Sequence, residues 1–269
     1  MREFQGNVMS NKKIVLIRTL LLIIFVAGWE ISARLKLYNP FFTSYPSEIA
    51  ADLLAFIESG DLWYHTALTL QEAFLGLFVG VVSGIFLAVV FGQFKTFGKI
   101  MVPILTAING IPQLALAPVY VLWFGLGLLS KVFLAGLMVF FCVFFSTYNA
   151  IRNIDQELIE SAHILGAGKL ATLWYVVLPS CMPWILSGVR GGVGACMVGA
   201  IIGEYMGASG GFGWMVTYAT SFFMIRRVMS CIFILLLVGI FINWFLGFAE
   251  RKILRWKNES TLSSDVMKK

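Results

Sequence analysis

Apolar residues gather into six long blocks separated by short polar segments, at about 14–34, 66–92, 100–124, 130–150, 181–203 and 228–250. A helix needs roughly 20 residues to cross about 30 Å of hydrocarbon, so this pattern predicts six transmembrane helices in an all-α membrane protein. The first block follows Lys12 and Lys13, but its apolar core is longer than that of a secretory leader and no small-x-small site follows it. It therefore reads as an uncleaved span. Between the first two blocks, Pro40 and Pro46 precede Ser47-Glu48-Ile49 and an acidic amphipathic stretch through Asp61. Ser47 is expected to cap a helix lying along the outer surface. The third block carries Asn109, Gly110, Pro112, Gln113 and Pro118. Proline removes a backbone donor and clashes with the preceding turn, which predicts a kink or break near mid-membrane. The expected organisation is a short segment 1–13, a transmembrane domain 14–250 and a tail 251–269.

Small residues recur at helical spacing in two blocks. Gly76, Gly80, Gly84, Ala88 and Gly92 line one face of the second span. The fifth carries two stripes, Gly188-Gly192-Cys196-Ala200 and Gly191-Ala195-Gly199-Gly203. Close helix packing is the expected use of such faces. Ionisable residues inside the apolar blocks are costly near the bilayer centre, so Glu72, Arg190 and Glu204, with Asn109, Pro112 and Gln113 at the predicted break, are candidates for a translocation path. Arg190 and Glu204 lie fourteen residues apart, about 21 Å along a straight helix, and cannot pair with one another.

Composition points the same way: 59% of the 269 residues are hydrophobic and 13% charged, with a mean hydropathy of +0.87, more apolar surface than a soluble domain of this size buries. The net charge of +6 comes from basic residues flanking the apolar blocks, the distribution of a membrane protein and not of a nucleic-acid binder. Placing the N-terminus inside puts thirteen of the twenty Lys and Arg in the cytoplasm and leaves Arg34, Lys36, Lys131, Arg226 and Arg227 outside. Both termini and the polar segment 152–179 are then expected to be cytoplasmic. Cys142, Cys181, Cys196 and Cys231 sit in or beside apolar blocks with no C-x-x-C pair, and His65 and His163 are far apart in sequence. This pattern predicts no disulfide framework, metal site or catalytic cluster. Gly166-Ala167-Gly168-Lys169 is followed by Leu170 where a phosphate loop needs Ser or Thr, so the chain itself is not expected to bind ATP.

The segment 152–179 carries the most specific motif. Glu160-Ser161-Ala162, three residues, Gly166, nine residues and then Val176-Val177-Leu178-Pro179 resemble the cytoplasmic EAA loop of type I permease subunits of ATP-binding cassette importers, departing by Ser161 for Ala and Val176 for Ile. Asp155 is placed to cap a short helix whose first turns carry Glu157 and Glu160, with Leu158, Ser161, Ala162 and Leu165 as a small apolar ridge, Gly166 as a turn and Pro179 at the entry to the next span. Pro112-Gln113-Leu114-Ala115-Leu116-Ala117-Pro118 and Gly203-Glu204-Tyr205-Met206-Gly207-Ala208 resemble the nitrate, sulfonate and taurine branch of that family, and the similarity runs from about Pro46 to Trp256.

The resemblance implies a permease homodimer in the bacterial inner membrane, with ATPase subunits that bind ATP and magnesium and an extracytoplasmic solute-binding protein. Glu160, Ser161, Ala162, Gly166, Leu178 and Pro179 would couple the loop to the ATPase, with Glu160 as polar contact and Ala162 as close-packing residue. The implied solute is a small anion: a sulfonate, taurine, nitrate or bicarbonate. Two departures, Glu72 early in the second span and Arg226-Arg227 before the last, keep a neutral heterocycle such as a pyrimidine or vitamin precursor as the alternative. Pairing of Glu72 with Arg226 or Arg227 would restore neutrality. A secondary transporter coupling protons through Glu72 or Glu204 is a further alternative, weakened by the absence of an inverted repeat in the sequence.

Overall fold

The computed structural model of the chain describes residues 11–39 and 41–253. The segment expected at 1–13, apart from its last residues, Pro40, and the tail beyond 253 lie outside the described residues. Described residues form helices α1 (Asn11–Arg34), α2 (Pro46–Glu58), α3 (Asp61–Gln93), α4 (Lys95–Asn109), α5 (Gln113–Phe124), α6 (Leu128–Arg152), α7 (Gln156–Ile164), α8 (Lys169–Thr172), α9 (Leu178–Tyr205), α10 (Phe212–Ser221) and α11 (Ile225–Ile253), with a π turn at Leu173–Val177 joining α8 to α9. Five helical runs are long and apolar enough to cross a membrane: α1, α3, α6, the continuous run Lys169–Tyr205, and α11. The chain resolves into two compact units, one of the described residues up to Leu62 with Tyr218–Phe233, the other of Trp63–Thr217 with the described residues from Ile234 onward.

In the larger unit α6 is the central helix, because glycines on both neighbours let their backbones reach it. From α3, Gly76 meets Ala135, Gly80 meets Val139, Gly84 meets Val143 and Gly92 meets Ile151. These pairs ascend together, so α3 and α6 run parallel. From α9, Gly188 meets Val143, Gly192 meets Val139, Gly199 meets Ala135 and Gly203 meets Lys131, which makes α9 antiparallel to α6. Without a hydrophobic drive inside lipid, this backbone proximity is what holds such helices together. Ala73, Ala135, Val139, Val143, Cys196 and Ala200 fill the seam. Gly191 meets nothing within 4 Å, so the two α9 stripes are used unequally: Gly199 and Gly203 pack on α6, while the start of their stripe faces outward.

Parallel α3 and α6 require the chain to return from one end of the unit to the other between Gln93 and Leu128. Helices α4 and α5 make that return, bent by 96° at the break. At about 22 and 18 Å neither spans the hydrocarbon alone. Gly98, near the start of α4, lies against Phe91 and Tyr148, at the far ends of α3 and α6. On α5, Ala117 and Tyr120 pack with Leu134 and Ile202, near the start of α6 and the end of α9. The predicted break is thus a broken sixth crossing. Pro112 starts α5 as its N-cap and Pro118 lies inside it without ending it.

The smaller unit corrects two expectations. Ser47 is not the cap of α2: Tyr45 holds that position without a side-chain bond and Pro46 occupies the first turn. Ser47 instead donates from its N–H (3.0 Å) and Oγ (2.8 Å) to the Glu30 carboxylate, since a proline preset for the helix makes a hydroxyl cap dispensable. Arg226 and Arg227 pair with Glu48 at 3.3 Å and Asp52 at 2.9 Å, not with Glu72. The Arg227 guanidinium forks onto both Asp52 oxygens and lies 4.1 Å from the centre of the Phe56 ring. The Ser44 backbone carbonyl accepts from Trp29 Nε1 at 3.2 Å. Beside these residues the Tyr45 phenol is pushed above its usual range, first by its hydrogen bond with Glu48 and then by desolvation.

Candidate functional site

The two ends of the larger unit carry different chemistry. At the end where α3 and α6 begin and α9 finishes, polar side chains meet in the core. His65, Thr69 and Glu72 share one face of α3, one turn apart, and continue the line of its glycine stripe. Lys131, in the first turn of α6, donates from Nζ to Glu72 Oε1 at 2.6 Å. Glu204, near the end of α9, is 1% exposed. Its Oε1 accepts from Thr69 Oγ1 at 2.6 Å and its Oε2 from the Gly213 N–H at the start of α10. The Phe212 N–H donates to Thr69 Oγ1 and the Gly211 N–H to His65 Nδ1, both at 3.0 Å, and the His65 ring stacks on Trp214.

Lys131 answers Glu72 through Oε1, Thr69 and the Gly213 N–H answer Glu204, and Glu72 Oε2 is buried without a hydrogen-bond partner among the described residues. The start of α10, the favourable end of a helix for an anion, gives the Gly213 N–H to the Glu204 carboxylate. Gly211 has φ +97, and a Cβ on it would fall onto the Glu204 carboxylate; one on Gly213 would meet Ile201 O and Glu204. Glycine is therefore required at 211 by space and by conformation, and at 213 by space. Glu72 pairs with Lys131, contrary to the expected pairing with Arg226 or Arg227, and Lys131 is a buried partner and not a free outward charge. Sequence reasoning did not identify His65, Thr69, Lys131, Gly211 and Gly213 as members of this site. Its one legible signal is the polar face of α3 leading into the glycine stripe.

The remaining path candidates lie elsewhere. Asn109 and Pro112 are exposed at the α4–α5 break, where Tyr120 Oη donates to Gln113 Oε1 at 3.0 Å. Arg190, in the half of α9 towards the 152–179 segment, forms an ion pair with Glu250 of α11. Arg190, Glu204 and the break thus do not form one constellation.

At the opposite end stands the 152–179 segment. Asp155 caps α7 by accepting from the Glu157 N–H at 3.0 Å. The helix closes in a Schellman motif, with the Ala167 N–H donating to Ala162 O and the Gly166 N–H to His163 O, both at 2.9 Å, and Gly166 at φ +82. Glu160 and Ser161 are exposed, and Ile164 and Leu165 are 85% and 87% exposed. Ala162 is buried, facing this chain's own interior, where α7 packs on the π turn. The exposed apolar ridge is therefore Leu158, Ile164 and Leu165. Pro179 stands in the first turn of α9, at the entry expected for it, and the helical run extends further back, through the π turn to Lys169. The π turn, closed by the Leu178 N–H on Leu173 O, gives room for a proline ring that would clash with a carbonyl of a regular turn.

Among the described residues no group of His, Cys, Asp or Glu is placed to hold a metal ion. All four cysteines are free thiols.

Comparison with known proteins agrees. Residues 80–255 match the family model described as binding-protein-dependent transport system inner membrane component. The chain is 32% identical over 235 residues to SsuC of Bacillus subtilis, which carries the name of an aliphatic sulfonates transport permease protein, covering 87% of this chain and 85% of that one. It is 32% identical over 236 residues to the riboflavin transport system permease protein RibX of Chloroflexus aurantiacus, covering 88% of each. It is 30% identical over 243 residues to the taurine transport system permease protein TauC of Escherichia coli, again covering 88% of each. On loop motif, topology and similarity together, the chain belongs to the binding-protein-dependent transport system inner membrane components, as a multi-pass permease subunit of an ABC importer.

Proposed function

We propose that this permease carries a small sulfonate-type anion, an alkanesulfonate or taurine first, with nitrate or bicarbonate next in charge and size. Its working form is a homodimer bound to two ATPase subunits, which supply ATP and magnesium chemistry, and fed by an extracytoplasmic binding protein. Both termini and the 152–179 loop are cytoplasmic. The names of SsuC and TauC support the solute class. The observation that carries the reading is the Glu72–Lys131 pair at 2.6 Å. An unpaired carboxylate there would repel an anion by about 1 kcal/mol at 4 Å even in a water-like dielectric. Held on Lys131 it presents a dipole instead, and the electrostatic objection to an anionic solute falls away.

In this reading α7 is the coupling element. Glu160 and Ser161 meet the ATPase together with the exposed Leu158, Ile164 and Leu165, and Gly166 holds the turn. Ala162, packed inward, ties α7 to the π turn, so that movement of α7 passes through Leu178 and Pro179 into α9. The α4–α5 break lines the path, because backbone groups freed in mid-membrane need water or protein for partners and Asn109 and Pro112 are exposed there. Gln113 stands at the same break, and Arg190 lies towards the loop end. Glu72 and Glu204 hold the opposite end closed through the buried cluster.

A second reading, a neutral heterocycle, is supported by the name of RibX. Uptake by the reconstituted complex with its binding protein separates the two. Saturable uptake of taurine or an alkanesulfonate is expected. Uptake of riboflavin or a pyrimidine with none of any sulfonate, nitrate or bicarbonate would reject the anion and keep the permease.

A further inference from the structure

At the loop end of the larger unit, a cavity of about 580 Å³ opens between the end of α3, the start of α4, the end of α6, α7 and the start of the Lys169–Tyr205 run. Lys95, Lys99, Arg152 and Lys169 line it, with His163 beside them and no Asp or Glu in the lining. None of the four cations makes an ion pair among the described residues, whereas Arg34, Lys131, Arg190, Arg226 and Arg227 each have a carboxylate partner. Membrane topology alone accounts for basic residues at one edge of a bilayer. It does not account for four cations from three separate segments, α4, α6 and α8, lining one void while the acidic Glu157 and Glu160 of the adjoining helix stay out of its lining. All four are exposed, and their like charges around one void give it a positive potential that favours an anion. The Arg152 guanidinium, 5.9 Å from the centre of the Tyr148 ring, is a planar donor fork suited to oxyanions.

We propose that this cavity binds a phosphate group, either as the headgroup of an anionic phospholipid or as the free ion. Lys95 and Lys99 sit one turn apart on α4 and supply point charges, Arg152 the paired N–H donors, and Gln93 and Gln156 neutral hydrogen bonds. The volume exceeds what a lone phosphate fills and accommodates a headgroup. Phe91, Leu173 and Val177 give the cavity apolar walls, and Trp174, next to Leu173 in the chain, is exposed. Occupancy would brace α4, α6 and α7 against one another.

The test uses the full chain in phosphatidylcholine nanodiscs, titrated with dioctanoyl-phosphatidylglycerol, dioctanoyl-phosphatidylcholine and inorganic phosphate. At about 1 kcal/mol per cation, the phosphatidylglycerol should bind at least about tenfold more tightly than the phosphatidylcholine. In Lys95→Gln/Lys99→Gln/Arg152→Gln the two should differ by less than about twofold. An Arg251→Gln/Lys252→Gln control and the charge-conserving Lys95→Arg/Lys99→Arg should both keep the preference, and if the triple variant is poorly folded Lys99→Gln alone should reduce it by about fivefold. Displacement of the phosphatidylglycerol by inorganic phosphate assigns the site to the soluble ion; preference without displacement assigns it to lipid. No preference together with no phosphate binding overturns the proposal, as does a preference that survives the triple substitution. Loss of ATPase association in the triple variant with lipid and phosphate binding both absent would assign the cavity to a protein carboxylate and equally overturn it.

Discussion

Glu204 shows how a single buried side chain dictates its neighbours. Its carboxylate takes Thr69 and the Gly213 N–H as donors, and the Gly211 backbone passes so close that any Cβ there overlaps it. Gly211→Ala should therefore destabilise the protein by about 1–3 kcal/mol through overpacking and backbone strain. Gly191→Ala, with nothing within 4 Å of the new methyl, should stay within about 0.5 kcal/mol. Thermal unfolding of both variants in detergent checks this pair, and equal melting temperatures would contradict the packing described. Glu72 and Lys131 give a second test. Lys131→Met strands a charge in the core and should cost about 3–5 kcal/mol, most of it recovered by adding Glu72→Gln. A double variant no more stable than the single would show that the pair is not the source of the loss.

At the scale of elements, local chemistry was readable where it acts over one turn. Asp155 caps α7 and Gly166 ends it as the spacing predicts, and proline and glycine break the third crossing between α4 and α5. The helical run that precedes Pro179 was not readable, because the π turn that makes room for the proline depends on how the run packs against α7. The direction of Ala162 was likewise settled by its neighbours. If α7 is the coupling element, Glu160→Lys should leave the permease at normal levels in the membrane yet abolish uptake and weaken ATPase copurification. Gly166→Val should do the same by forcing a β-branched residue into a left-handed position, at about 1–2 kcal/mol. Normal uptake by both variants, measured at equal membrane levels, would remove α7 from coupling.

For the whole molecule, the α3–α6 parallel pair and the antiparallel α9 determine which ends share a side. The 152–179 segment, the end of α3 and the end of α11 lie at one end of the larger unit, since Arg190 of α9 meets Glu250 of α11 there. With that end cytoplasmic, a cysteine at position 169 should resist an impermeant maleimide applied to intact cells and a cysteine at position 61 should react. Both are introduced after replacement of Cys142, Cys181, Cys196 and Cys231. Strong labelling at 169 with protection at 61 would invert the orientation.

The sequence by itself determined the membrane class, the helices and the loop motif. Apolar block length, proline, glycine and capping residues act through contacts within a few residues, and hydrocarbon leaves the backbone little choice but helix. Only the tertiary structure decided which charges answer one another. Glu72 finds Lys131 at a separation of 59 residues, Arg190 finds Glu250 at 60 and Arg227 finds Asp52 at 175. Several carboxylates and cations compete for each such pairing in the chain, and helix direction and glycine-controlled approach select among them. The burial of Glu204 under Gly211 and Gly213 was decided in the same way, because a cavity for a carboxylate exists only once α3, α9 and α10 have come together.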